Sequence, residues 1–217
     1  MIKFKDWVSY QDLLISENLE VKALPPKILW ITGMLSKGDG PVYLNKLGYD
    51  CKGMSTLTNR SAAYIGRFER YAWAKWLLKK KAAQLGKAHL AANIEKHDKE
   101  IDDFEPDVII GTSQGGAVAM QLADKYPHSK FVLGAPAWKI FNADPNKLPS
   151  DTIIIQGKKD ITVPYEDNKE LAETHGFEFI TYDGGHAVPW DLIRKAVDKQ
   201  LERMGITPPK EVVTPEV

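Results

Sequence analysis

Five short, largely apolar runs, most entered from a polar or proline-bearing turn, constrain this chain more than any other feature. They are Lys27-Ile-Leu-Trp-Ile-Thr32 after Pro25-Pro26, Asp107-Val-Ile-Ile-Gly111 after Pro106, Lys130-Phe-Val-Leu-Gly134, Thr152-Ile-Ile-Ile-Gln156 and the shorter Phe177-Glu-Phe-Ile-Thr181. Continuous rather than alternating apolarity is what a strand covered on both faces requires. A weaker strand falls near 48–53. Helical patterns lie between the runs. Gly115 to Tyr126 is rich in Ala, Val, Met and Leu, and Pro164 to His175 opens on Pro and stops at Gly176. Trp190, Ile193, Val197 and Leu201 mark one face of a final helix that ends near Gly205. Strand–helix alternation implies right-handed crossovers, hence a mainly parallel sheet between two helical layers, an α/β/α sandwich. Ligand chemistry in such sheets sits at the carboxyl ends of the strands.

At 217 residues the chain has the size of one ordinary α/β domain, expected over residues 1–205, with 206–217 as a flexible tail carrying Pro208, Pro209 and Pro215. Two segments fall outside the alternation. Residues 1–24 hold Trp7, Tyr10, Leu13 and Leu14 and read as a helix or hairpin on the sheet edge. Residues 60–104 read as helical with a break near Gly86, and 60–90 is a candidate helical cap.

Lys plus Arg and Asp plus Glu are both 29, so the formal net charge is zero, and the basic excess of a nucleic-acid binder is missing. With Cys51 as the one cysteine, neither an intrachain disulfide nor a cysteine-based metal cluster is expected. The opening Met1-Ile-Lys-Phe-Lys-Asp lacks the apolar stretch of a signal peptide, and no run has transmembrane length. The expectation is a soluble, cytoplasmic protein without an integral membrane segment.

The chemistry-bearing segment follows the strand at 107–111. Gly111-Thr-Ser113-Gln-Gly115-Gly116 is G-x-S-x-G between a buried strand and a helical pattern, the context that gives this motif its meaning. The demand is steric: a serine on a strained turn needs nearly side-chain-free neighbours two residues before and two after. The turn lifts Ser113 above the sheet, where the N–H groups of the next helix also point.

A serine nucleophile needs a base, and the base an orienting acid. Gly157-Lys-Lys-Asp160-Ile-Thr-Val163-Pro164 places Asp160 after the strand at 152–156. Gly184-Gly185-His186 places His186 after the strand at 177–181. Of the five histidines, His89, His97 and His175 fall in helical patterns and His128 in the loop after Pro127; only His186 follows a strand at a glycine-cleared turn. Asp144, after the preceding strand, competes with Asp160 for the acid; Asp183 is too near His186 in sequence to be favoured.

Taken together, G-T-S-Q-G-G, G-x-x-D-x-x-V-P and G-G-H-x-V-P, in the order Ser113, Asp160, His186, resemble the α/β-hydrolase superfamily. They are similar to the motifs of small carboxylesterases, acyl-protein thioesterases and the small family of serine hydrolases. The resemblance spans about residues 27 to 203. It implies hydrolysis of an ester or thioester through an acyl-enzyme, without a cofactor or metal; the same triad acting on an amide or carbon–carbon bond, or a non-catalytic ligand binder on this fold, are the alternatives. It also implies an oxyanion hole made by the backbone N–H of Gln114 and an N–H from Thr32-Gly33-Met34-Leu35. The family usually carries His-Gly there and this chain carries Thr32-Gly33, which leaves Met34 N–H as the second donor. Ser36-Lys-Gly-Asp-Gly-Pro41 lacks the ending of a phosphate loop and reads as a mobile loop near the pocket.

Pocket candidates are Leu35, Trp73, Trp138, Val163 and Val188. Tyr64, Phe68, Tyr71, Trp73 and Trp76 crowd one segment, which is either a core helix or a cap lining an acyl pocket. At 100° per residue they cannot all share one face, so a pocket or a homodimer contact would cover the remainder.

Overall fold

A computed structural model describes residues 24–33, 39–57, 88–101 and 103–210. Six strands form one sheet in the order β2-β1-β3-β4-β5-β6, with every neighbouring pair parallel. The strands are β1 (Lys27–Thr32), β2 (Asp50–Ser55), β3 (Val108–Thr112), β4 (Lys130–Gly134), β5 (Ile153–Gly157) and β6 (Glu178–Tyr182). The helices are α1 (Asp39–Lys46), α2 (88–100), α3 (Gln114–Gln121), α4 (Trp138–Phe141), α5 (Tyr165–His175) and α6 (Trp190–Arg203).

Successive side chains of a strand point to opposite faces, so each apolar run feeds two cores at once. Leu29, Ile31, Ile109, Leu133 and Ile154 enter one layer, closed by Val118 and Met120 of α3, Leu90 of α2 and Leu171 of α5. Ile28, Trp30, Ile110, Val132 and Ile155 enter the other, closed by Leu44 of α1 and by Ile193, Val197 and Leu201 of α6. Full burial of one such side chain stabilises by about 1.5–3 kcal/mol. The expected three-layer sandwich is therefore present, and its central strands are covered on both faces. The edge strands differ: β2 exposes Lys52, Gly53 and Ser55, and β6 is only half-buried.

The strand order reverses between β1 and β3, because the chain leaves β1 for β2 on one side and returns to β3 on the other. Such a reversal opens a crevice at the strands' carboxyl ends. Gly33 ends one strand and Ser113 the other.

Three local expectations change. Ser36 to Pro41 is not loop throughout, since α1 starts at Asp39 and takes in Gly40 and Pro41. Proline is tolerated there because first-turn N–H groups have no intrahelical partner. Strand β2 begins at Asp50 rather than near 48, because Gly48 turns at φ 94° and Tyr49 N–H still bonds the Leu44 carbonyl at 3.3 Å. The start of the tail is packed: Ile206 joins the second apolar layer and Pro209 lies against Gly48, while 211–217 are outside the described residues. Residues 1–23 and 58–87, with Trp73 and most of the proposed cap, are likewise outside, as are Met34 and Leu35. Among the described residues no helix is long and apolar enough to cross a membrane.

Candidate active site

Ser113 occupies the single residue between β3 and α3, at φ 55° and ψ −121°. A non-glycine residue rarely adopts a positive φ, and holding one there costs of order 1–3 kcal/mol. The surroundings determine it fully. Ser113 N–H bonds the Gly134 carbonyl at 2.8 Å, and its own carbonyl accepts from Gly116 N–H at 3.0 Å and Ala137 N–H at 2.9 Å. The glycines are required by contact: a Cβ on Gly111 would stand 2.7 Å from the Gly115 oxygen, and one on Gly116 2.6 Å from Pro136. Serine at a helix start normally caps it with its hydroxyl, but Ser113 makes no such bond. Its Oγ is left for another partner.

That partner is His186, whose Nε2 lies 2.9 Å from Ser113 Oγ. The opposite ring nitrogen, Nδ1, lies 2.8 Å from Asp160 Oδ2. A carboxylate only accepts, so Nδ1 carries the proton and Nε2 is the bare nitrogen facing the hydroxyl. Asp160 sits in the turn after β5, with its side chain withdrawn from solvent. Oδ1 accepts from the N–H groups of Thr162 at 2.8 Å and Val163 at 3.0 Å; Oδ2 accepts a further bond from Gln156 Nε2 at 3.1 Å. Burial alone would raise its pKa, but the bonds from His186, Val163 and Thr162 outweigh it and hold the carboxyl below the usual range. The loop carrying His186 is pinned in turn. Lys159 N–H bonds the Gly184 carbonyl at 2.8 Å, and Tyr182 Oη reaches the Gly185 and Ala187 carbonyls at 2.6 and 3.0 Å. Burial, then the negative charge of Asp160, push the Tyr182 pKa up, so its hydroxyl stays a donor.

Asp144 stands elsewhere. It is exposed and accepts from Asn146 N and Nδ2 at 3.1 and 2.7 Å, capping a short 3₁₀ turn. Asp183 faces outward in an ion pair with Lys159.

Gln114 opens α3, where a backbone N–H has no intrahelical partner. Its side chain is buried against His89 of α2, a contact that the helical pattern around His89 gave no means of foreseeing. Burial keeps the His89 pKa low, against the opposing bonds from Leu57 and Gln114. Gly33 lies beside the serine: a Cβ there would come within 2.8 Å of Ser113 Cβ. The backbone after β1 thus approaches the hydroxyl as closely as it can.

A cavity of about 280 Å³ opens at Ser113 and His186 and runs over the second apolar layer, between α1 and α6. Trp30, Val188, Trp190 and Ile193 wall it, with Asp39 at the α1 side. Val188 is on its wall; Trp138 and Val163 are not. Val163 is buried in the opposite apolar layer, and Trp138 packs onto that layer with its indole nitrogen 3.4 Å from the Asp167 carbonyl. Trp30 and Trp190, which do line it, read in the sequence only as core and helix-face residues. Among the described residues no cluster of three or more His, Cys, Asp or Glu could hold a metal ion.

The arrangement can pass a proton from a serine hydroxyl to a buttressed imidazole beside the first turn of α3. Solved structures share the frame. A protein from Thermoplasma acidophilum described as a predicted CIB-like hydrolase is similar at 20% identity, over 82% of this chain and 87% of its own, with a TM-score of 0.53. The esterase domain of a Rhodothermus marinus protein is similar at 13% identity over 84% and 89%, with a TM-score of 0.52. Est1E from Butyrivibrio proteoclasticus is similar at 14% over 83% and 89%, with a TM-score of 0.51. Likeness at such identities shows the α/β-hydrolase fold. No curated protein matches significantly. The family model for serine hydrolase (FSH1) matches residues 39–196, which run from α1 into α6 and include Ser113, Asp160 and His186. The chain belongs to this serine hydrolase family.

Proposed function

We propose that the protein hydrolyses a carboxylic ester or thioester through an acyl-enzyme on Ser113. The observation that carries this reading is the line Ser113 Oγ, His186 and Asp160, with contacts of 2.9 and 2.8 Å. His186 Nε2 takes the hydroxyl proton as Oγ bonds to the acyl carbon. The carbonyl oxygen becomes an oxyanion held by Gln114 N–H and, as the family resemblance implies, Met34 N–H. Collapse of this intermediate breaks the bond to the alcohol or thiol, which leaves with the proton from His186. Water then attacks the acyl carbon, gives its proton to His186 and releases the acid as Oγ is reprotonated. Asp160 holds the ring's tautomer and stabilises the imidazolium. The apolar wall of Trp30, Val188 and Ile193 suits the acyl group better than a charged leaving group.

A fluorophosphonate probe tests the nucleophile, and p-nitrophenyl esters and acyl-CoA thioesters of graded length test the substrate class. Ser113 is expected to label rapidly in the wild type, and Ser113→Ala to lose about a million-fold in kcat. A pure Ser113→Ala protein retaining more than a tenth of wild-type activity would end the assignment.

A further inference from the structure

Besides His186 and two backbone N–H groups, the Asp160 carboxylate has one further side-chain partner, Gln156. Gln156 is the fourth residue of β5 and is fully buried, as is Asn168 of α5. Asn168 Nδ2 lies 2.7 Å from Gln156 Oε1, and Gln156 Nε2 lies 3.1 Å from Asp160 Oδ2. The carboxylate cannot donate, so the amide nitrogen must be the end that faces it. The amide oxygen then requires a donor, and Asn168 supplies it. Nε2 also lies 3.3 Å from the Val163 carbonyl, in the same turn whose N–H groups hold Oδ1. Two side chains are thus spent on one carboxylate in a fully buried place. The arrangement carries a cost, because Asn168 Oδ1 is left without a partner. A buried unsatisfied acceptor costs about 1–3 kcal/mol, which an apolar pair of the same shape would avoid.

We propose that Gln156 is a positioning residue for the reaction: its amide, locked by Asn168, holds the Asp160 carboxylate at the rotation that aims His186 at Ser113. Oδ2 receives both His186 Nδ1–H and Gln156 Nε2–H, so the amide fixes the direction of the remaining lone pair and shares the oxygen's negative charge. The proposal rests on reading Ser113 as the nucleophile. Among the charged and titratable groups nearby, Tyr182 senses the charge of Asp160, Asp39 lines the same cavity as His186, and Lys159 and Asp183 form an exposed pair.

The experiment is the pH dependence of fluorophosphonate labelling of Ser113 in wild type, Gln156→Met and Gln156→Glu, with thermal melts for each. Removing the donor leaves Oδ2 more negative toward the ring, which favours the imidazolium. The acid limb should therefore move up by about half a pH unit or more, and, because the carboxylate no longer aims the ring, Gln156→Met should label about tenfold more slowly at its plateau. Gln156→Glu replaces the donor only while the new carboxyl is protonated, so its rate relative to wild type should fall as pH rises. If Gln156→Met melts earlier but labels within twofold of wild type along an unmoved limb, the residue is merely structural and the proposal is overturned. A pH-independent ratio for a folded Gln156→Glu overturns it equally. Absence of Ser113 labelling in the wild type would instead strike the nucleophile assignment itself.

Discussion

Gly115 lies so close to Ile31 that a Cβ added to it would stand 2.1 Å from the Ile31 carbonyl oxygen. The first residues of α3 therefore rest directly on the backbone of β1, and Ser113 inherits its position from that contact. Backbone cannot yield as a flexible side chain can. Gly115→Ala is expected to destabilise by about 3 kcal/mol or more, lowering Tm by roughly 6 °C or more. Activity should fall further than the folded fraction does, since the strained serine moves with the helix. Thermal melts and kcat on the same preparation check this; wild-type values for both would mean the turn can relax without displacing Oγ.

The acid can be identified by comparing two aspartates. Asp160→Asn puts an amide among four donors, so at least one N–H meets another N–H and His186 loses its acceptor. A fall of roughly 10⁴-fold in kcat is expected, as in serine proteases of unrelated fold. Asp144→Asn, at an exposed cap, should leave kcat within about twofold. Steady-state kinetics on a p-nitrophenyl ester separate the two. Greater damage from Asp144→Asn would move the acid to the loop after β4.

Much of the fold is legible in the sequence, and the reasons are local. Strands covered on both faces must be apolar throughout, so Ile153-Ile-Ile shows itself without context. A strained serine turn tolerates little but glycine at 111 and 115, so the motif records its own geometry. What stayed hidden depends on contacts between distant segments. Trp30 and Trp190 meet in one cavity wall only because α1 and α6 cover the same side of the sheet. Gln156 ends an apolar run, and its bond to Asp160 exists only once the turn at 157–163 folds back. Trp138 carries no local sign of which apolar layer it joins. Asp39-Gly40-Pro41 has loop chemistry and helical structure, because Gly40 packs on the Trp30 ring: a Cβ there would come within 2.6 Å of it.

Asp160 also links stability to pH. Its folded-state pKa lies below the ordinary carboxylate value, so the unfolded chain binds a proton first as pH falls. The stabilisation is complete above the ordinary value of about 4 and is lost as pH drops through the lower folded value. Denaturant unfolding of wild type and Asp160→Asn at neutral and acid pH should show the wild type's advantage shrinking toward acid. A difference that stays constant across that range would mean that the carboxylate's charge contributes nothing to the fold.

Acyl selectivity tests which wall the substrate uses. Val188 stands in the loop just after His186, and its Cγ2 would lie 3.1 Å from a Cβ placed on Gly134. It therefore borders the cavity that holds Ser113, and a larger side chain there is expected to fill part of it. In Val188→Phe, each methylene of an acyl chain that no longer fits forfeits about 1–3 kcal/mol. The kcat/KM for p-nitrophenyl hexanoate should fall at least about tenfold, while that for the acetate changes little, because two carbons need only the space beside Oγ. Equal losses on both esters would point to a disturbed His186 loop. No loss on either would mean that the acyl chain does not lie against Val188.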